Sequence, residues 1–206
     1  MAGTLTTDIF LKFQEKFKDR CVTLFLEAFY TSISNNSISL NFHENDITAI
    51  LHSYIDENPK RLKWNISTNP ENHLFDKTAA YTKSFAAKFP RIDMRFVNIW
   101  QENEHKYFME AKNLRSNDSN SKRRYITTGI DNFLKAGSYY KCDGFLVGYI
   151  LEGTIDSCVE GINKMLIKDK RTDEVICKIP NFLIERRFSN HNNSKLMSHV
   201  FLNFVN

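Results

Sequence analysis

Arg91-Ile92-Asp93-Met94-Arg95-Phe96-Val97-Asn98-Ile99-Trp100, the polar run Gln101-Glu102-Asn103-Glu104, and then Lys106-Tyr107-Phe108-Met109-Glu110-Ala111 form the stretch that decides the fold. The two outer segments alternate as strands do, and the polar run between them predicts an antiparallel hairpin. Side chains alternate between the faces of a strand, so Glu110 and Lys112 share one face while Met109 and Ala111 share the other. On the first strand Ile92, Met94 and Phe96 face one way and Asp93 the other. A turn centred on Glu102 and Asn103 sets Asp93 nearly opposite Lys112 and diagonal to Glu110, with the register open by two residues. Such neighbours lie within about 5–8 Å of each other.

Upstream, Phe10, Phe13, Phe17, Cys21, Leu24 and Ala28 recur at helical spacing, until the polar run Ser32-Ile33-Ser34-Asn35-Asn36-Ser37 interrupts them. A second helix is predicted over roughly 42–56, because Ile47, Ile50, Leu51, Tyr54 and Ile55 form the stripe of a helix lying on a core. Asn41 with Glu44 three residues later reads as its capping box. A strand over 62–66 and a short helix over 78–87 are expected next.

Downstream of the hairpin, the Ser-, Asn- and base-rich segment 113–124 reads as a loop, and a helix over 127–136 carries Ile130, Phe133 and Leu134. Gly144-Phe145-Leu146-Val147-Gly148-Tyr149-Ile150-Leu151 has no alternation, as a strand buried on both faces requires. Ile155, Val159, Ile162 and Leu166 mark a further helix, and strands over 174–179, 182–188 and 197–205 close the chain. The order α-α-β-β-α-β-α-β-β predicts an α/β fold, a single domain with a central mixed sheet flanked by helices. Within 1–206 it comprises an N-terminal helix over 5–30, a core over about 40–152 and a C-terminal helix and strands over 153–206.

Composition excludes several classes. The chain has 206 residues, 42% of them hydrophobic and 25% charged, enough for one sizeable core. Cys21, Cys142, Cys158 and Cys177 are scattered without a Cys-x-x-Cys pair, which fits reduced thiols better than a disulfide framework or a zinc site. The first residues lack the basic segment and apolar run of a secretory signal, and no run approaches a membrane span, so a cytoplasmic protein away from membranes is expected. A net charge of +4 is compatible with a phosphate-bearing partner without requiring one. There is no Gly-rich phosphate loop, Gly-x-Ser-x-Gly elbow or zinc ligand set.

The hairpin carries the chemistry. A hard cation such as Mg²⁺ takes carboxylate oxygens, waters and substrate phosphate oxygens. It acidifies a bound water and offsets charge on a phosphate under attack. A neighbouring lysine orients that water or neutralises the transition state. Asp93, Glu110 and Lys112 supply such a set. Glu-x-Lys alone also fits a half-buried strand showing two charged residues to solvent.

Pro90-Arg91-Ile92-Asp93 followed by Tyr107-Phe108-Met109-Glu110-Ala111-Lys112 resembles the PD-(D/E)XK nuclease superfamily, whose fold is restriction-endonuclease-like. The resemblance spans roughly 40–152. It implies metal binding by Asp93, Glu110 and the Ala111 carbonyl, catalysis by Lys112, and Mg²⁺ as cofactor with Mn²⁺ as substitute. The family often adds a glutamate from a preceding helix. Glu44 matches it as a further metal-site residue, with a purely capping role equally open and Asp46 and His43 as rivals. Proline stands three residues before Asp93 instead of directly before it. The following helix lacks a Gln-x-x-x-Tyr pattern, with Arg124, Tyr125 and Asn132 as the nearest polar residues.

Together these features predict a DNA endonuclease of restriction or phage-defence type. RNA as substrate, a homodimer, and a non-catalytic or partner-activated nucleic-acid-binding subunit of a larger defence complex stay open. Lys122, Arg123 and Arg124 are candidate phosphate-backbone contacts, with a solvated charge run as the alternative. His191 and His199 read as structural or surface residues, and Lys168, Lys170 and Arg171 as an exposed helix end.

Overall fold

Seven strands form one mixed sheet in the order β1-β2-β3-β4-β7-β6-β5 in the computed structural model, which describes residues 7–74, 89–100, 102–134, 137–180, 183–191 and 195–205. The strands are β1 (Ile66–His73), β2 (Arg91–Trp100), β3 (Asn103–Arg115), β4 (Gly144–Glu152), β5 (Cys177–Lys178), β6 (Arg186–His191) and β7 (Lys195–Asn203). Helices α1 (Thr7–Ser34) and α2 (Glu44–Glu57) pack on one face, and the short α3 (Pro59–Lys63) follows α2. On the other face lie α6 (Ile155–Lys168) and a helix that runs as α4 (Ser119–Arg124), a π-helical turn (Tyr125–Ile130) and α5 (Asp131–Phe133). The expected α/β domain with a helix-flanked mixed sheet is therefore present. No described helix is long and apolar enough to cross a membrane.

The central strand β4 is parallel to both β3 and β7. Phe145, Val147 and Tyr149 enter the core under α1 and α2, while Leu146 and Ile150 enter the one under α6. Burial on both faces is why that segment shows no alternation. Gly144 is required by packing: a Cβ there would lie 2.5 Å from the Phe108 carbonyl oxygen, a backbone atom that cannot turn aside. Gly144→Ala is expected to cost about 1–3 kcal/mol as overpacking. A urea midpoint equal to the parent's would refute this.

Local chemistry moves several predicted boundaries. Helix α1 continues through Ser32 and Ser34, because serine hydroxyls here can return to the helix backbone, as Ser32 Oγ does to Phe29 O at 2.7 Å. It stops at Asn36, which takes a left-handed φ of 48°. The expected strand over 62–66 is instead α3, capped by Asn58 Oδ1 on Lys60 N at 3.0 Å with Pro59 at its start, and β1 begins only at Ile66. The helix expected over 78–87 lies outside the described residues. Segment 113–124 is not a loop: β3 extends to Arg115, and Asp118 caps α4 by accepting from Asn120 N at 2.8 Å. That helix consequently starts at Ser119 and ends at Phe133, earlier than its apolar residues suggested.

The capping box of α2 is also displaced. Asn41 Oδ1 accepts from Ser39 Oγ at 2.7 Å, whereas Asp46 reaches back to His43 N at 3.0 Å. His43 is the N-cap and Asp46 the third residue of the box. Glu44 is thus the first helical residue and its carboxylate is free for another task. At the far end of the chain, a 3₁₀ turn (Thr172–Glu174) and the two-residue β5 replace the strand expected over 174–179. Strand β6 begins at Arg186, with Phe182 outside the described residues.

Candidate active site

Trp100 pairs with Asn103, so the hairpin turns one residue earlier than predicted, with Glu102 in the left-handed region at φ 63°. The ladder between β2 and β3 ends at Met94 opposite Met109. One step further along that register Asp93 faces Glu110 directly, not diagonally. Beyond this point β3 runs on without β2 as a neighbour. Its freed backbone N–H groups would be orphans. Carboxylates take them instead: Ala111 N donates to Asp93 Oδ2 at 2.7 Å and Asn113 N to Glu44 Oε2 at 2.9 Å. The fork between two strands and the first residue of a helix thereby gathers Asp93, Glu110, Lys112 and Glu44.

Lys112 closes the group. Its Nζ donates to Ala111 O at 2.6 Å, Glu110 Oε1 at 2.7 Å and Glu44 Oε1 at 3.3 Å. Glu110 and Lys112 are each only 5% exposed, so they are not charges displayed to solvent. The other oxygen, Glu110 Oε2, is buried with no hydrogen-bond partner. Burial, followed by the nearby Asp93 carboxylate, pushes Glu110 up to about 7, against the pull of Lys112. Burial likewise raises Asp93, with Lys112 and the Ala111 N–H opposing. Burial works against the charge on Lys112, but Glu110, Glu44 and Asp93 outweigh it and hold the ammonium above its ordinary pKa. The balance of three carboxylates against one ammonium leaves the pocket short of positive charge.

Among the described residues no group of three or more His, Cys, Asp and Glu side chains is arranged to hold a metal ion. The Lys112 ammonium engages Ala111 O and Glu110 Oε1, two of the oxygens that the family resemblance gives to a metal. Tyr139 stands nearby, a residue with no motif to announce it. Its hydroxyl donates to Arg91 O at 2.8 Å, and burial together with Glu110 and Asp93 raises its pKa.

The basic triplet does not act as a unit. Lys122 is 9% exposed and its Nζ donates to Ser116 O at 2.7 Å, while its stem lies over Gly161 of α6. Arg123 pairs with Asp169. Arg124 alone of the three is exposed and makes no described ion pair. Helix formation from Ser119 turns the three side chains in different directions, which a loop reading does not foresee.

A second polar assembly was not anticipated. Glu110 pairs with Leu146, Leu146 with His199, and His199 with Arg187, so one row crosses the sheet from the site to β6. On that row His199 Nδ1 meets Tyr125 Oη at 2.9 Å, and its Nε2 meets Ser189 Oγ at 2.7 Å. Ser189 Oγ also meets His191 Nε2 at 2.7 Å, and His191 Nδ1 meets Glu174 Oε2 at 2.5 Å. Arg171 binds the same Glu174 oxygen at 2.7 Å and Asp131 at 2.8 Å, so it is no exposed helix end.

The proton order follows from the ends of this chain. Burial would raise Glu174, but the hydrogen bonds from Arg171 and His191 keep its pKa below the ordinary value, so it is an ionised acceptor. His191 then donates from Nδ1 and accepts at Nε2, Ser189 donates to it, His199 donates to Ser189, and Tyr125 donates to His199. Each N–H and O–H has one acceptor with both imidazoles neutral. Burial holds His199 down at about 3 and also lowers His191. The sequence signal for this wire is only the alternation Ser189, His191 on one strand face, with partners contributed by three other elements.

No protein-family model, curated protein or solved structure matches the chain.

Proposed function

We propose that the chain is a divalent-metal-dependent nuclease of restriction-endonuclease-like fold that hydrolyses phosphodiester bonds in DNA, in the manner of restriction or phage-defence enzymes. The supporting observation is the burial of Glu110 and Lys112 with Asp93 and Glu44 at the fork of β2 and β3. Three carboxylates around one ammonium are a poor means of stabilising a fold, because burying ions costs more than their attraction returns. Perturbed titratable groups cluster at functional sites, which supports a chemical role for this one.

Asp93, Glu110 and the Ala111 carbonyl are the residues that would hold the metal, and hard oxygen donors suit Mg²⁺ or Mn²⁺. The unpartnered Glu110 Oε2 and the surplus of carboxylates fit a cation. When bound, such an ion acidifies water and offsets charge on the phosphate. Glu44 anchors the β3 backbone and shares Lys112, which makes it a positioning residue. For a metal to be held there Lys112 would have to release Ala111 O and Glu110 Oε1, and its ammonium would then be free for the phosphate or the attacking water. That exchange also favours a second reading, a subunit held inactive until a partner or substrate draws the lysine away.

The test pairs cutting with metal binding. Plasmid, single-stranded DNA and RNA are incubated with the purified protein in Mg²⁺, Mn²⁺ or EDTA, and metal-dependent cutting is expected. Asp93→Asn keeps an oxygen for the Ala111 N–H but removes the charge. It is expected to weaken Mn²⁺ binding in calorimetry by at least about tenfold, the scale seen even for outer-shell changes. Unchanged affinity would sink the assignment of Asp93. Cutting that appears only on addition of extract from the native host would select the partner-activated reading.

A further inference from the structure

A cavity of about 280 Å³ lies against Asp93, between the early turns of α2 and β1, lined by Asn45, Thr48, Ala49, Pro70, Glu71 and Asp93. Its volume falls just below the roughly 300 Å³ at which drug-sized ligand sites begin, and suits a single heterocycle. Ala49 and Pro70 supply apolar surface. Polar capacity at the rim is loosely used: Asn45 Nδ2 is 3.5 Å from Glu71 Oε1, at the limit of a hydrogen bond, and Arg91 is 3.4 Å from Glu71 Oε2.

The backbone at this rim is strained. Glu71 holds a φ of 47°, and the β1–β2 ladder passes from Pro70–Met94 to Asn72–Ile92 without it. A non-glycine residue in that region costs of order 1–3 kcal/mol and such strain gathers at ligand sites. The register is unbroken across this position, and the Glu71 carboxylate lines the cavity beside the Asn45 amide. An amide and a carboxylate side by side offer the donor and acceptors that read a base edge.

We propose that this cavity receives the base of a nucleotide next to the phosphate under attack, so that the preferred substrate is a strand in which that nucleotide is unpaired. This rests on the nuclease reading of the adjoining carboxylates. The cavity shares Asp93 with that site, so a phosphate held there delivers its own base to the cavity mouth. A base stacked and paired in a duplex must first be extruded, at a cost of a few kcal/mol that a single strand largely avoids.

The test uses a single-stranded oligonucleotide carrying 2-aminopurine, bound in Ca²⁺ to hold it uncut, and the variant Ala49→Phe, which fills the cavity from an exposed helix position. The wild type should change the probe's fluorescence and, in Mg²⁺ or Mn²⁺, cut the single strand at least about tenfold faster than its duplex. Ala49→Phe should lose both effects while its Mn²⁺ affinity stays that of the wild type. Equal rates on strand and duplex, or an Ala49→Phe variant that behaves as the wild type, overturn the proposal. A fluorescence change without cutting in Mg²⁺ or Mn²⁺ keeps the base site and removes the hydrolytic reading. Cutting without a fluorescence change does the reverse.

Discussion

Lys112→Ala is expected to lower metal-dependent DNA cutting by on the order of 10²–10⁴-fold, the range for loss of a proton-transfer or charge-stabilising group. Binding of uncut DNA, measured by gel shift in Ca²⁺, should change little, because the ammonium is 5% exposed and faces carboxylates instead of the surface. The variant also isolates the electrostatics. Without the ammonium, Glu110, Glu44 and Asp93 face one another with no cation among them. Divalent ions should therefore raise the melting temperature of Lys112→Ala more than that of the wild type. A variant that cuts at the parent rate removes Lys112 from the reaction. A variant that gains no stability from the ion removes the metal site.

The second large effect concerns the buried wire, and it is a matter of order. Ser189→Ala deletes the acceptor of His199 and the donor of His191 together, leaving two buried imidazole nitrogens unpaired. Each orphaned buried group costs about 1–3 kcal/mol, so a loss of about 2–6 kcal/mol is expected. Tyr125→Phe deletes only the terminal donor and strands one acceptor, His199 Nδ1, at a cost of about 1–3 kcal/mol. Chemical denaturation of the two variants decides it. A Tyr125→Phe that is the more damaging would falsify the proton order given above.

The same wire sets an acid limit. His199 is held at about 3 by burial, below the 6.5 of an unperturbed imidazole, so between those values the unfolded chain binds the extra proton. Stability therefore rises with pH across that window, is complete above about 6.5, and falls as pH drops toward 3. At 1.36 kcal/mol per unit the swing amounts to several kcal/mol. His199→Gln should flatten the acid limb of a stability–pH curve. An unchanged limb would mean that other groups govern acid unfolding.

The sequence by itself determined the elements whose signal is periodic. Helices α2 and α6 follow from apolar stripes, β4 from an unbroken apolar run, and the β2–β3 hairpin from alternation around a polar turn. It also singled out Asp93, Glu110, Lys112 and Glu44, since residue type and spacing along one strand and one helix are local facts. Tertiary structure alone decided the register and the contacts in which these four meet. Their meeting depends on β2 parting from β3 after Met94, which leaves backbone N–H groups that only Asp93 and Glu44 can satisfy. It decided as well that Lys122 is buried on α6 and Arg123 is spent on Asp169, because helix phase and packing partners are not written in a run of like charges. The wire from Tyr125 to Glu174 joins residues 10 to 74 positions apart apart from its Ser189–His191 step. Hydrogen-bond partners at such separations leave no periodic mark on the chain, and only the fold brings them within reach.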